Sequence, residues 1–345
     1  MRPPSSSSVL SPLWDECSAW AHSWGGLLPP GWLERGRASI ERLAARRTAV
    51  GLARSETMTL RYTGRDVYAR HDLAKRLGLG PFSSEAAADA DLEVVELLAS
   101  DAARRRREGW LIAPHFVRAT VDLRISASER WDRERRRRAA AILRDLEARV
   151  DEGGEGFDRF YDTLYAPTTR ARFGPGGYVA RRRHLRRLAR WGFLLHVDEG
   201  GERLGSALVA RLHGRDAPLE VKVWGVTDPA RRVRAHEAMF VFAMEEARRR
   251  GATHLGLGLG YPFAADGSLR FKKRWGATLA LPHDDPRRFA VRALAPAGLE
   301  ALAAHHLVVV DARGELLALG APETPGLRSV PAPRTPEELR ALARA

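Results

Sequence analysis

Two adjacent lysines, Lys272 and Lys273, are the first candidates for a chemical role. They lie in the segment LGLGYPFAADGSLRFKKRWG (257–276), although only four of the 57 basic residues in the chain are lysines. A lysine ammonium is a compact charge with three donors, and in a water-poor cleft it can stabilise an oxyanion or hold a phosphate oxygen. We expect Lys272 to be the functional one, because it follows Phe271 directly and precedes Trp275 by three residues. Two exposed lysines on a helix are the alternative.

A phenol and an arginine pair are further candidates. Tyr261 follows a glycine-rich, strand-like run, where a phenol could protonate a leaving group. Arg231 and Arg232 fall in the first turn of a predicted helix, where the helix dipole disfavours cations. A phosphate bound between these guanidiniums and the free backbone amides would make them favourable there. A solvated arginine pair is the alternative.

Several other kinds of site are not supported. The alternating glycines of GLGLGY lack the spacing of a dinucleotide-binding loop. His115, His236 and His254 share no metal-ligand spacing, so we expect structural histidines and no metal. Cys17 is the only cysteine, which excludes an internal disulfide and a thiolate zinc site. No Gly-x-Ser-x-Gly is present, so covalent hydrolase chemistry is unsupported.

The composition narrows the class of partner. A formal net charge of +14 and a pI near 10.8 favour association with polyanions such as nucleic acid or phosphorylated cofactors. The arginine-rich runs around residues 103–107, 134–138 and 180–191 mostly follow one side of amphipathic patterns, so a solvated surface is the simpler interpretation. We find no secretion signal and no apolar run of about 18 residues, and expect a soluble, cytoplasmic protein.

The elements that must position these residues follow from hydrophobic periodicity. Helical spacing is predicted over 157–165, ended by Pro167, and again over 178–191. Three strand-like runs separated by DEGGE and HGRDA then predict an antiparallel meander. Asp228 and Pro229 are the N-cap and first residue of a helix that runs to Gly251, and the strand 253–259 after it should lie parallel to the last meander strand. Ligands in such mixed sheets bind where neighbouring strands diverge.

The flanking regions are predicted more coarsely. We expect short helices before residue 56, a strand at 58–63, a helix over 91–110 and strand-like residues 111–123 broken at Pro114. A charged helix capped near Ser128 should run to the break at 151–156. A hairpin about 311–314 and a short helix after a Pro-rich segment complete the chain.

The order of these elements resembles the GNAT acetyltransferase superfamily, and DGSLRFKKRWG resembles its Fem-type branch more closely. That branch has an Asp-Gly, a short helix and a Phe-Lys-x-x-aromatic-Gly ending directly after the strand that follows the crossover helix. The matching positions here are Asp266, Gly267, Phe271, Lys272, Trp275 and Gly276. The resemblance covers roughly residues 155–280, and the first half only loosely as the other member of a tandem pair.

The resemblance implies an α/β fold with mixed sheets, GNAT-like, with two tandem halves and a helical N-terminal extension. The expected division is an extension at 1–55, a first unit at 56–150, a catalytic unit at 151–285 and a C-terminal helix, hairpin and tail at 286–345. The implied activity is transfer of an acyl group from acyl-CoA, or an aminoacyl group from aminoacyl-tRNA, to a small-molecule or cell-envelope amine.

The resemblance also assigns roles to residues. Catalysis is implied for Lys272, Tyr261 and Asp266, and donor binding for Val226, Arg231 and Arg232. Acceptor-side contacts are implied for Tyr161, Tyr165, Arg170, Phe271 and Trp275. One departure stands out, because the glycine-rich pyrophosphate loop Arg/Gln-x-x-Gly-x-Gly/Ala is replaced by RRVRAH at 231–236. A GNAT-fold module that binds RNA or another polyanion without catalysis is therefore the alternative function.

Overall fold

The computed structural model describes residues 49–64, 73–83, 89–152, 154–173, 179–211, 218–282, 285–322 and 326–344. Its strands, in chain order, are β1 (Ala49–Arg54), β2 (Thr59–Gly64), β3 (Leu92–Leu98), β4 (Leu111–Pro114), β5 (Val117–Asp122), β6 (Glu147–Glu152), β7 (Gly192–Glu199), β8 (Glu202–Arg211), β9 (Leu219–Val226), β10 (His254–Gly260), β11 (Thr278–Ala280), β12 (Arg287–Ala293), β13 (Val308–Val310), β14 (Leu316–Leu319) and β15 (Arg328–Val330).

The helices with defined bounds are α1 (Ala102–Arg107), α2 (Ala127–Arg130), α3 (Arg133–Asp145), α4 (Phe157–Phe160), α5 (Ala166–Phe173), α6 (Arg182–Ala189), α7 (Arg232–Arg249), α8 (Gly267–Arg274), α9 (Pro296–Ala304) and α10 (Pro336–Arg344). A π-helical turn, Tyr161–Tyr165, joins α4 to α5. The first 48 residues of the predicted helical extension lie outside the described residues, and residues 49–54 of the extension form β1 instead of a helix.

A mixed seven-stranded sheet carries the predicted second-half order. Its strand order is β11-β5-β10-β9-β8-β7-β6. The meander β7-β8-β9 is antiparallel, α7 crosses over, and β10 returns parallel to β9, so this prediction is confirmed. Asp228 begins the crossover as predicted, since its side chain accepts a 2.8 Å hydrogen bond from the amide of Ala230. The mixed α/β fold predicted from the sequence is therefore the one observed.

Helices cover both faces of this sheet, because its strands are apolar on both sides. On one face α3 and α7 pack on side chains such as Phe193, Leu195 and Val209. On the other face α4, the π turn and α6 pack on Leu194 and Leu208. Successive strand residues point to opposite faces, which is why neighbours along β7 belong to different cores. This arrangement leaves the strand ends as the place where a ligand can enter.

The second large sheet has five strands in the order β1-β2-β3-β12-β4, and β13, β14 and β15 form a third sheet that includes the predicted hairpin. Each of the two large sheets contains strands from both halves of the chain. β5 lies in the seven-stranded sheet, while β12, which follows the proposed boundary at 285, lies in the five-stranded one. The division at residues 150 and 285 stays a prediction.

Three local predictions were wrong. The segment 91–110 is the strand β3 followed by α1, because β3 pairs with β2 and β12 on its two sides. The charged helix ends at Asp145, and 147–152 form the edge strand β6; the caps are Ser126 for α2 and Asp132 for α3, not Ser128. Pro167 does not end the helical path. The π turn before it shifts the backbone hydrogen-bond register, so the N–H that proline lacks is not needed to continue the helix.

Candidate active site

The strands β9 and β10 diverge soon after they begin to pair. Their parallel pairing consists of Leu219 with Leu255 and Glu220 with Gly256. Beyond these positions β10 stays paired with β5, and a register shift between Gly256 and Leu259 bends it away from β9. Pairing between β9 and β10 is thus confined to two residue pairs, and we call the region beyond these pairs the crevice.

Lys272 reaches the crevice from α8. Its Nζ donates a 2.8 Å hydrogen bond to the carbonyl oxygen of Leu259, inside the irregular part of β10. A Cβ placed on Gly258 would lie 3.9 Å from this Nζ and 3.1 Å from the carbonyl oxygen of Val221 on β9. The ammonium therefore lies where the two strands part. Gly258 has φ +80°, a left-handed conformation that favours glycine.

Burial makes the charged form of the Lys272 ammonium unfavourable. A ligand with negative charge would therefore be bound strongly beside it. Lys272 is 7% exposed, and burial lowers its pKa to about 8. The nearby Arg172 lowers the pKa further, whereas Glu220 raises it. Among the residues that the structure describes, the bond to Leu259 is the one hydrogen bond of Nζ. Two of the three ammonium protons can thus be directed at a ligand.

Glu220 supplies a buried carboxylate at the closed end of the crevice. It is 6% exposed and forms ion pairs with Lys222 at 2.7 Å and Arg118 at 3.2 Å. Its Cγ would lie 2.7 Å from a Cβ on Gly256, so the glycine makes room for it. The sequence analysis missed this residue. A charged pair, Glu220 and Lys222, inside the strand-like run LEVKVWGV was the available signal.

Asp266 and Phe271 hold Lys272 in place from the same helix. The Asp266 side chain caps α8 by accepting hydrogen bonds from the amides of Ser268 (2.9 Å) and Leu269 (3.1 Å), and it forms an ion pair with Arg76. Phe271 is half-buried and packs against Phe240 of α7, with ring centroids 5.4 Å apart. In this arrangement Asp266 fixes the start of α8, and a catalytic role for it stays a prediction.

Trp275 and Tyr261 pack in two different cores. Trp275 is 0% exposed and packs edge-on against Trp131 at 5.4 Å, so it anchors the end of α8 in the core. Tyr261 follows β10, packs against Phe116 at 5.0 Å and lies under the guanidinium of Arg76 at 4.7 Å. Tyr261 belongs to the core of the five-stranded sheet.

Two of the three predicted donor-binding residues, Arg231 and Val226, already have partners within the protein. Arg231 and Arg234 both form ion pairs with Glu199 at the end of β7, whereas Arg232 is exposed. The amide of Val226 donates to Thr168 Oγ1 at 3.0 Å. The same hydroxyl donates to the Val226 carbonyl at 3.2 Å, so α5 occupies both backbone groups.

The two predicted acceptor-side tyrosines hold the π turn against the chain near residue 180. Tyr161 donates to the carbonyl of Ala180 at 2.9 Å, and the hydroxyl of Tyr165 accepts from its amide at 2.8 Å. Burial raises the pKa of Tyr165, which is a core residue. Arg170 is exposed on α5, and Arg172, two residues later, lies with its guanidinium over the Trp224 ring at 5.5 Å. Arg172 borders the crevice, and the sequence analysis did not select it.

His236 is a second residue that the sequence analysis assigned only a structural role. It lies on α7 in contact with Trp224 of β9 and Phe271 of α8, the elements that border the crevice. Within the described part of the chain its Nε2 is buried and has no hydrogen-bond partner. Burial lowers its pKa to about 3, and Arg172, Arg232 and Lys272 lower it as well. The imidazole is neutral at every physiological pH.

Comparisons with solved structures give the fold a context. The chain is 15% identical to the DUF2156 C-terminal domain of a lysylphosphatidylglycerol synthetase from Agrobacterium fabrum, over 73% of this chain and 82% of that one, with a TM-score of 0.39. It is 14% identical to FemX, over 70% of this chain and 83% of that one, with a TM-score of 0.39. It is 13% identical to a tandem GNAT protein of the clavulanic acid pathway, over 70% of this chain and 78% of that one, with a TM-score of 0.35. Its structural neighbours include Fem-type and tandem GNAT proteins.

At these identities the likeness concerns the fold alone. No protein-family model matches the sequence, and no curated protein matches it significantly. In the described ranges no group of three His, Cys, Asp or Glu side chains has the arrangement of a metal site. No helix there is long and apolar enough to cross a bilayer.

Proposed function

We propose that this protein is an acyltransferase that moves an activated acyl or aminoacyl group onto an amine, with the reacting carbonyl bound at Lys272 in the crevice. The observation that carries the proposal is the buried Lys272 ammonium, held by one backbone carbonyl at the point where β9 and β10 part. A buried cation stabilises negative charge that develops beside it more strongly than an exposed one does, because little water screens the interaction.

The chemistry then follows from the charges. A neutral amine attacks the carbonyl carbon, and the oxygen that gains negative charge is stabilised by the two remaining N–H donors of Lys272. This attack forms the C–N bond, and collapse of the intermediate restores the C=O bond and breaks the bond to the leaving oxygen or sulfur. The proton lost by the nitrogen is taken up by the leaving group. Glu220 lies near enough to favour the charged form of Lys272.

The donor is an aminoacyl-tRNA or an acyl-CoA, and two observations favour the first. Arg231 and Arg234 of the first turn of α7 are engaged by Glu199, so this turn does not offer the open phosphate site of a coenzyme A loop. Thr168 occupies both backbone groups of Val226, the third predicted donor contact. The acceptor is a small-molecule or cell-envelope amine.

Product formation tests this proposal. The protein is incubated with labelled acetyl-CoA or with aminoacyl-tRNA, together with a set of primary amines, and amide products are measured by mass spectrometry. We expect an amide that requires the protein and is lost in Lys272→Met. Absence of product with both donors, in a protein that still binds RNA, would instead support a binding module.

One surface favours that second candidate. Arg183 and Arg187 of α6 and its C-cap residue Arg190 follow one another at helical spacing, and the next residue, Trp191, is 49% exposed. A row of guanidiniums beside an exposed indole can bind phosphates and stack a base. Fluorescence anisotropy of a labelled RNA should then show an affinity that falls steeply with salt and weakens in Arg187→Gln. Salt-independent binding would exclude this use of the surface.

A further inference from the structure

His236 stands out because a polar atom is buried without a partner beside the proposed reaction site. Its Nε2 is unpaired within the described part of the chain, while the ring contacts Trp224, Phe240 and Phe271. Buried polar atoms in folded proteins are almost always hydrogen-bonded, and leaving one unpaired is destabilising. Such an atom at the border of a crevice indicates a partner that arrives with the ligand.

The charges around His236 define what that partner can be. Arg172 of α5, Arg232 of α7 and Lys272 of α8 approach the ring closely enough to oppose its protonation. A neutral imidazole has one N–H donor and one acceptor. Positive charge around the ring favours a ligand oxygen that carries negative charge. Such an oxygen accepts a hydrogen bond, so its binding favours the imidazole tautomer that carries the proton on Nε2.

We propose that His236 binds a phosphate or ester oxygen of the acyl donor through Nε2–H, on the α7 side of the crevice, with Arg172 and Arg232 supplying the positive charge. This inference rests on the proposed function for the identity of the ligand as an acyl donor. His236 acts as a binding residue and not as a general base.

Access to Nε2 requires a side-chain movement. Trp224 and Phe271, which cover the ring, are both partly exposed, and rotamer changes of such side chains occur within nanoseconds. A ligand that enters between β9 and α8 can therefore displace one of them and pair with the nitrogen. The closed arrangement keeps the imidazole dry until then.

Phosphate-bearing probes test the inference without any need for turnover. The probes are inorganic pyrophosphate, coenzyme A and a CCA trinucleotide, titrated by calorimetry into wild type, His236→Phe and His236→Gln. His236→Phe retains an aromatic ring but loses the donor, whereas His236→Gln offers an N–H close to the position of Nε2. His254→Phe is the matched control, because His254 lies at the start of β10 and bonds to Thr253.

We expect wild type to bind at least one probe, with Kd raised roughly 10- to 100-fold in His236→Phe and about threefold or less in His236→Gln, as for loss of one hydrogen bond to a charged group. His254→Phe should bind as wild type does. Preference for the trinucleotide or for coenzyme A shows which donor supplies the phosphate. Wild-type affinity in His236→Phe, or no binding of any probe by wild type, would overturn the inference.

The inference and the proposed function can fail separately. If His236→Phe binds normally while Lys272→Met abolishes amide formation, the His236 inference is wrong and the acyltransferase proposal stands. If His236→Phe loses probe binding but no donor yields an amide, the site binds phosphates without the proposed chemistry.

Discussion

Lys272 Nζ donates a 2.8 Å hydrogen bond to the carbonyl oxygen of Leu259, and this bond ties helix α8 to the irregular part of β10. Leu259 lies where the β10–β5 register shifts, and its side chain is 40% exposed although it is apolar. A buried cation and an exposed apolar side chain thus lie at the same strand end. This pairing suits an acyl group, whose carbonyl is polar and whose chain is not.

The first prediction concerns stability. Burial lowers the pKa of Lys272 from 10.5 to about 8, which corresponds to about 3 kcal/mol of unfavourable free energy when both states are protonated. This cost is fully present below pH 8. It is relieved as the pH rises from 8 to 10.5, because the unfolded chain then binds the extra proton.

Urea unfolding at pH 7 and pH 10 measures this cost. Lys272→Met should be more stable than wild type at pH 7, by up to about 3 kcal/mol less the lost hydrogen bond to Leu259, and the advantage should shrink at pH 10. Lys273→Met, altered on the neighbouring half-buried residue, should show a much smaller change. A Lys272→Met protein less stable than wild type at both pH values would contradict the assigned burial cost.

The second prediction is a bell-shaped pH dependence. Transfer requires a neutral acceptor amine, so the rate should rise with pH at first. It should fall again above about pH 8, where Lys272 loses its proton. In Lys272→Arg, any remaining activity should lack the alkaline decline, because a guanidinium keeps its charge. A wild-type rate still rising at pH 9.5 would show that the ammonium is not required.

The third prediction concerns the covering helix. A Cβ on Gly225 of β9 would lie 2.4 Å from the carbonyl carbon of Leu164, so the π turn rests directly on this glycine. Gly225→Ala should destabilise the protein by about 2 kcal/mol or more and reduce transfer, since β9, which forms one side of the crevice, must shift. Gly267→Ala is the control, because a Cβ there meets nothing within 4 Å. Equal melting temperatures of the two variants would refute this packing.

The fourth prediction asks whether the first turn of α7 contributes to donor binding. Glu199→Gln removes the carboxylate that pairs with Arg231 and Arg234. If Arg231 and Arg232 help to hold the donor, pyrophosphate should bind about fivefold more tightly, as expected for release of a partly exposed ion pair. Glu202→Gln is the control and should have no effect. Glu202 is exposed and lies opposite Glu199 in the β7–β8 hairpin. Unchanged affinity in Glu199→Gln would remove Arg231 from the proposal.

The sequence carried enough information to predict the sheet around the crevice. Apolar alternation and two turn segments specified the meander, and Asp228-Pro229 specified the crossover, so the parallel return of β10 followed from the strand–helix–strand connection. Lys272 was found through its rarity and its motif. Its burial could not be read from the sequence, because it depends on a bulge in a strand 13 residues earlier.

The failures share a physical cause. β3 was predicted as helix because its partners, β2 and β12, come from distant parts of the chain, and strand pairing overrides local pattern. Glu220, Arg172 and His236 join the site from three separate elements. The sequence offered only a local signal for Glu220, its pairing with Lys222, and the packed structure is what brings all three to Lys272.

The most direct test of the account is a single-turnover measurement of amide formation, with the donor that the product assay identifies, in wild type, Lys272→Met and Lys273→Met. We predict that Lys272→Met lowers the transfer rate roughly 100- to 1000-fold, as for loss of one oxyanion donor, with donor affinity changed less than tenfold. Lys273→Met should transfer at the wild-type rate. A Lys272→Met protein within threefold of wild type would contradict the assignment of the carbonyl to this ammonium.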